Sequence, residues 1–247
     1  MKLIETITTI LTMTIQLGAI TADQILDKME ANENPKTSRS KIVQRVYRAD
    51  GKENISKLVS YSADEGDKGL MEYVEPARIR GMKILMLNDG DNIWFYSPRT
   101  SRVRKIASHQ KYQSVNNSDF SYEDLSAKDT REDYHVELLG SEDHQGVTCF
   151  KLQGIPKEPG DVSYSKTVTW VDKEKFIPVE VHFYDENGEL WKKLVVSNPK
   201  KVDKYWTYEN IVMYNLLKGS RTIMEFESIE HDIDIDHAMF SERELRK

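Results

Sequence analysis

The chain is poor in the residues that usually announce a chemistry. It has 247 residues and one cysteine, Cys149, so no internal disulfide can form. A core of this size needs no such staple, and the count does not exclude an oxidising compartment. Cys149 lies in the strand-like run Val147-Thr-Cys-Phe-Lys-Leu152, where a free thiol behaves as a small buried hydrophobe. There is no G-x-S-x-G elbow, P-loop, dinucleotide glycine fingerprint, H-E-x-x-H or C-x-x-C, so no motif supports an enzyme and none implies a cofactor. The formal net charge of −6 gives no footprint for nucleic-acid binding. No apolar run approaches the ~20 residues of a permanent membrane span.

What is present is β text. Candidate strands fall at 39–48, 54–61, 69–74, 82–87, 92–96, 135–139, 147–153, 163–171, 179–184, 190–196, 206–214 and 220–229. Asp50-Gly51, Asp89-Gly90, Asn187-Gly188 and Gly219 punctuate them. The spacing predicts a mainly β fold with a few helices: a large curved antiparallel sheet forming an incomplete barrel. Alternation suggests one apolar and one polar face. Tyr164, Val168 and Trp170 point one way and Ser163, Ser165, Thr167 and Thr169 the other; Val179, Val181 and Phe183 oppose Glu180 and His182.

Residues 1–22 read as an export signal: Lys2, an apolar Thr-rich run from Ile7 to Ile20, then small residues ending at Ala22. Residues 23–247 then form one domain of a periplasmic protein. Thr21 to Ala31 reads as a helix with an Ile25, Leu26, Met29 stripe, capped by Thr21 or Asp23 and ended before Pro35.

The central stretch, Arg78 to Leu125, opens with two strands around Asp89-Gly90, a strong hairpin signal. A basic run follows, Arg99, Arg102, Arg104, Lys105 and Lys111. It reads either as a solvated hairpin and loop or as a surface for an anionic partner; the nearby Asp119, Glu123, Asp124 and Asp129 could instead neutralise it. Next comes Ser118-Asp-Phe-Ser-Tyr-Glu-Asp-Leu125, in which Ser121 and Asp124 have capping-box spacing. Near the end, His231-Asp-Ile-Asp-Ile-Asp-His237 is a dense polar cluster. It reads as a solvated edge or, more sharply, as oxygen ligands for a hard cation, without the Gly and distal Glu of an EF-hand.

Three blocks carry a resemblance: "RGMKILML…DNIWFYSPRTSRVRKI…QSVNNSDFSYEDL", "VSYSKTVTWVDKEKFIPVEVHFYDENGELWKKL" and the closing "FSERELRK". The chain resembles the bacterial outer-membrane lipoprotein-sorting proteins, the LolA/LolB-like periplasmic carriers. The resemblance implies a helix across the mouth of the curved sheet and lipid or lipoprotein acyl chains as cargo. It also implies an inner-membrane transporter and an outer-membrane acceptor as partners. Asn117 stands where relatives tend to carry Gly. On this reading Met82, Met86, Trp94, Tyr96, Trp170, Phe183, Trp206 and Met213 are candidates to line a lipid cavity. Ser118, Asp119, Phe120, Tyr122, Glu123 and Asp124 form a buttressed loop at its mouth. A non-catalytic periplasmic adaptor with a filled core is the alternative, and a lipid-modifying hydrolase a third.

Overall fold

The computed structural model describes residues 20–126, 129–158, 160 and 162–247. Most of the export segment, residues 1–19, lies outside them. One antiparallel sheet of thirteen strands dominates, in the spatial order β6-β5-β4-β3-β2-β1-β13-β12-β11-β10-β9-β8-β7. The sheet is curved and does not close into a barrel, so β6 and β7 remain as its two edges.

The order follows from two meanders. The first runs outward through β1 (Thr37–Tyr47), β2 (Glu53–Ala63), β3 (Lys68–Glu75), β4 (Lys83–Leu87), β5 (Asn92–Ser97) and β6 (Arg102–Ile106). The second returns from the far edge through β7 (Tyr134–His144), β8 (Val147–Pro156), β9 (Lys166–Asp172), β10 (Pro178–Tyr184), β11 (Leu190–Val202), β12 (Tyr205–Asn215) and β13 (Ser220–His231). β13 then pairs with β1 along the middle of the sheet, from Ser38 opposite His231 to Tyr47 opposite Arg221. Twelve strands match the sequence reading in place. β6 does not: the middle of the basic run is a strand rather than a loop, with Ile106 opposite Ile93 and Val103 opposite Tyr96. Four of its residues are exposed or half-buried, as suits a charged edge strand.

Two meanders that grow to opposite edges need one connection spanning the sheet. That connection is the segment between β6 and β7. It crosses the inner face and carries Val115, Phe120, Tyr122 and Leu125 into the largest core cluster, against Ile42, Leu58, Tyr73, Ile84 and Met224. The inner face of β1–β6 is therefore filled by the protein's own chain.

The other half is covered by a helix. α1 (Ala22–Glu33) starts at a capping box in which the Gln24 N–H donates to the Thr21 hydroxyl and the Thr21 N–H to the Gln24 side chain, 3.3 and 3.1 Å. Ile25 is fully buried, and Leu26 and Met29 flank it against Phe150, Leu152 and Val171. α1 touches both β7 and β12, strands five places apart in the sheet order, so it lies across the concave half. Asn32 Nδ2 donates to the Lys175 carbonyl at 2.8 Å and pins its far end. The short α2 (Thr130–Asp133) ties in through Arg131, which pairs with Asp129, Asp27 and Glu30.

The outer face of the first meander is capped by the C-terminal segment, whose Phe240 and Leu245 pack on Leu70 and Leu85.

Candidate functional site: a cavity beneath the helix

Between α1, the crossing segment and the inner face of β7–β12 lies a cavity of about 300 Å³. Its roof is Leu26 and Met29; its walls include Val136, Leu152, Val181, Phe183, Leu194 and Met213. The crossing segment closes it with Glu123, Asp124, Ser126, Asp129 and Asp133. The cavity is thus apolar on the sheet side and acidic on the segment side.

The acidic side is held by a buried network. Lys192 and Asp124 are almost wholly buried, and Lys192 Nζ donates to Asp124 Oδ2 at 2.9 Å and to the Tyr164 hydroxyl at 3.0 Å. Tyr164 in turn donates to the other Asp124 oxygen. Asp124 and Ser121 also exchange the two bonds of a capping box: Ser121 N–H to Asp124 Oδ2, 2.8 Å, and Asp124 N–H to Ser121 Oγ, 3.1 Å. A turn follows instead of a regular helix. Glu123 accepts from the Ser163 N–H and hydroxyl. Burial raises the Glu123 carboxyl above its ordinary range, only partly offset by those bonds. Burial and the adjacent Asp124 push the Tyr164 hydroxyl well up.

The remaining residues of the loop dock it elsewhere. Asp119 accepts from Ser220 Oγ and from Thr222 Oγ1, 2.5 and 2.8 Å, while its own N–H donates to Thr222 Oγ1. Ser118 Oγ closes the local turn by accepting from the Phe120 N–H. Asn116 and Asn117 take φ of +49° and +57°, a conformation asparagine tolerates. The loop is therefore a strap with two polar ties to the second meander, Asp119 to β13 and Asp124 to β11, while Phe120 and Tyr122 sink into the core under the first.

The eight cavity candidates separate. Phe183 and Met213 line the cavity. Met82 and Met86 belong to the adjoining solid core, and Met86 also borders a smaller cavity of about 220 Å³. The four others lie on the outer face, because alternation turns them away. Trp94 and Tyr96 flank Phe95, which faces inward, and pack with the C-terminal segment. Trp206 is an odd number of positions from Met213 on the same strand and lies beneath Lys201. Trp170 sits opposite Glu180 in the β9–β10 pairing, while Thr169 opposes Val181 and Thr167 opposes Phe183. Thr167 and Thr169, read from sequence as the solvent face, line the cavity. Their methyl groups serve the wall, and a hydropathy pattern scores only their hydroxyls.

Trp170 belongs instead to an outer-face cluster. His144 stacks on it at 4.3 Å and His182 meets it edge-on at 4.6 Å. Both imidazoles offer Nε2 to the buried Glu180 carboxylate, at 2.9 and 2.5 Å, and Gln145 Nε2 donates to it at 2.5 Å. Burial alone would raise the Glu180 carboxyl, but the bonds from His144 and His182 outweigh it and the group lies below its ordinary range. Burial lowers His182. Cys149 packs in the same cluster, and burial pushes its thiol up to about 11.

The acidic block does not neutralise the basic run: Asp119, Glu123 and Asp124 turn inward and Asp129 pairs with Arg131. Lys105 bonds Asn92, and Lys111 pairs with Asp91 at 3.7 Å. The His231–His237 stretch is not an extended ligand strand. Asp232 accepts from the Lys36 N–H and the Tyr205 hydroxyl, and Asp236 caps a final turn. Among the described residues no group of three or more His, Cys, Asp and Glu is arranged to hold a metal, and no helix is long and apolar enough to cross a membrane.

A family model described as an uncharacterized protein matches residues 65–247, from the turn after β2 to the last residue. The chain belongs to that family. Its fold is that of the lipoprotein-sorting proteins. A Vibrio parahaemolyticus domain named for outer-membrane lipoprotein sorting superposes with a TM-score of 0.85 at 28% identity, over 91% of this chain and 97% of that one. A DUF1329 family protein from Desulfovibrio piger gives 0.83 at 29% identity, over 90% and 96%. A LolA superfamily protein from Nitrosomonas europaea gives 0.76 at 22% identity, over 92% and 100%, a likeness of fold. No curated protein matches the chain.

Proposed function

We propose that the protein is a periplasmic carrier that holds an acyl chain of a lipid or lipoprotein in the cavity beneath α1. The observation that carries this reading is the apolar cavity itself, on the concave half of a sheet whose other half is filled. Ligand pockets span about 300–1,000 Å³, so the present volume suits part of one acyl chain. A bulkier cargo requires α1 to lift from β7–β12. Each buried methylene adds ~0.8 kcal/mol, so affinity accumulates along the chain and release needs an acceptor or a rearrangement. The name of the Vibrio relative supports a place in lipoprotein sorting. On this reading residues 1–22 are an export signal, whose removal takes the Thr21 cap of α1 with it, and residues 23–247 are the carrier domain. An inner-membrane transporter supplies the cargo, an outer-membrane protein accepts it, and the protein itself is not an enzyme.

A second reading, a non-catalytic envelope adaptor, draws on the solid packing of Phe120 and Tyr122 under β1–β6. Native mass spectrometry with organic extraction, on protein purified from the periplasm without detergent, separates the two. Bound lipid near one equivalent supports the carrier and names the cargo class. A clean apo mass, unchanged after incubation with phospholipid and lipopeptide, rejects it in favour of the adaptor.

A further inference from the structure

The meander topology sorts charge along the strand direction. At one end of the sheet lie the turn between β1 and β2, with Arg48 and Lys52, and the loop between β3 and β4, with Arg78 and Arg80. The turn between β5 and β6 adds Arg99 with Arg102 beyond it, and the turn between β12 and β13 adds Lys218 with Arg221 beyond it. All eight of these side chains are exposed. The acids at the same turns, Asp50, Glu53 and Glu75, already pair with Lys52, Arg45 and Lys57, at 2.8, 3.3 and 3.7 Å. The neighbouring turn between β10 and β11, with Asp185, Glu186 and Glu189, bounds the patch on the other meander. The opposite end of the strands is mixed: Asp64, Glu65, Asp67, Asp89 and Asp91 lie on the first meander, with Asp64 and Asp91 paired to Lys68 and Lys111, and the end of β11 with the turn after it adds Lys200, Lys201 and Lys204.

A second observation falls on the cationic end. The turn between β12 and β13 exposes two adjacent leucines, Leu216 at 46% and Leu217 at 63%. The tip is shaped by bonds: the Leu216 N–H donates to the Trp191 carbonyl at 2.9 Å and the Lys218 N–H to Asn215 Oδ1 at 3.0 Å. It begins three residues beyond Met213, whose side chain lines the cavity. Isolated apolar groups on a surface are ordinary, but a paired apolar tip flanked by cations on the side of the first meander suits one medium in particular, an apolar layer beneath anionic head groups.

We propose that this end of the sheet docks on an anionic lipid bilayer, with Leu216 and Leu217 entering the head-group boundary and Arg48, Arg78, Arg80, Arg99, Arg102 and Lys218 resting on the phosphates. In a chain of net charge −6, a cluster of exposed cations at one end of the first meander orients the approach to an anionic surface.

Flotation of the full chain with vesicles tests this. One set contains phosphatidylcholine alone and the other phosphatidylcholine with phosphatidylglycerol. Binding is expected on the anionic set only, falling as salt rises. Arg99→Glu with Arg102→Glu weakens it by roughly tenfold or more. Leu216→Ser with Leu217→Ser reduces it severalfold, and Leu217→Trp shifts its fluorescence to the blue on the anionic vesicles. These positions are exposed, and circular dichroism verifies folding. Equal binding to both sets, or anionic binding retained by both double variants, overturns the proposal. No binding at all also overturns it and leaves the charges to an acidic protein surface. Val181→Trp, which fills the cavity, floats like the parent, so failure of the carrier reading and failure of this one are seen separately.

Discussion

Lys192 on β11 and Asp124 on the crossing segment meet at 2.9 Å with side-chain exposures of 5% and 1%. Each offsets part of the cost of burying the other. Lys192→Met leaves the Asp124 carboxylate beside Tyr164 without a cation, an uncompensated charge worth about 3–5 kcal/mol. Urea unfolding of Lys192→Met is expected to show a loss of that size. The double variant Lys192→Met, Asp124→Leu is expected to recover most of it. A loss below ~1 kcal/mol in the single variant contradicts a dry pair.

The hairpin between β4 and β5 approaches the same segment. Gly90 has φ of +90°, and a Cβ added there lies 2.3 Å from the Ser126 Cβ. Gly90→Ala therefore incurs both backbone strain and a clash, together about 2–4 kcal/mol. Ser126→Gly in the same chain is expected to relieve the clash and leave the strain. Equilibrium unfolding of the two single variants and the double measures the split.

Acid stability tests the outer-face cluster. Glu180 has a lowered carboxyl in the folded state, so it contributes stability above the ordinary glutamate value of 4.5 and loses it as pH falls through the folded value below that. His182 is also lowered, from 6.5. The unfolded chain therefore takes its proton first, and stability begins to fall near that pH. Unfolding midpoints are expected to decline from about neutral pH downward. Glu180→Gln is expected to be less stable at neutral pH and to show a shallower decline at the acid end. An unchanged slope in that variant removes Glu180 as the cause.

Filling the cavity tests the carrier reading without touching the charged network. Val181→Trp places an indole where an acyl chain is proposed to lie. Bound lipid by mass spectrometry is expected to fall by tenfold or more, since excluding even two methylenes removes ~1.6 kcal/mol. Because the ring enters an existing cavity, stability is expected to fall by less than the ~1–3 kcal/mol of adding bulk to a packed core. Undiminished occupancy places the lipid elsewhere.

The strands and the helix cap at Thr21 were legible because local chemistry fixes them: alternating apolar residues, Asp-Gly turns, and a Thr ahead of an apolar stripe; the Gln24 half of the capping box emerged only in the structure. β6 was hidden because Arg102-Val-Arg-Lys-Ile106 has two apolar positions and three charges, the text of an edge. The cavity wall was misread at β9, where Thr167 and Thr169 face inward and the larger Trp170 faces out. Local pattern names two faces; which face receives the crossing segment depends on strand order, and no short window contains that. The loop from Ser118 to Asp124 stood out as a motif. Its partners Lys192, Ser220 and Thr222 are some 70 to 100 residues away and carry no spacing signal.

The central pairing of β1 with β13 also sets the history of each molecule. Its contact order is high, and slow closure follows from that. The first meander is synthesised early, but its innermost strand, paired with β2 on one side, has no neighbour on the other until the last strand emerges. The nascent chain thus lacks its middle ladder for nearly the whole of synthesis, a sheet with a seam that the final residues sew shut.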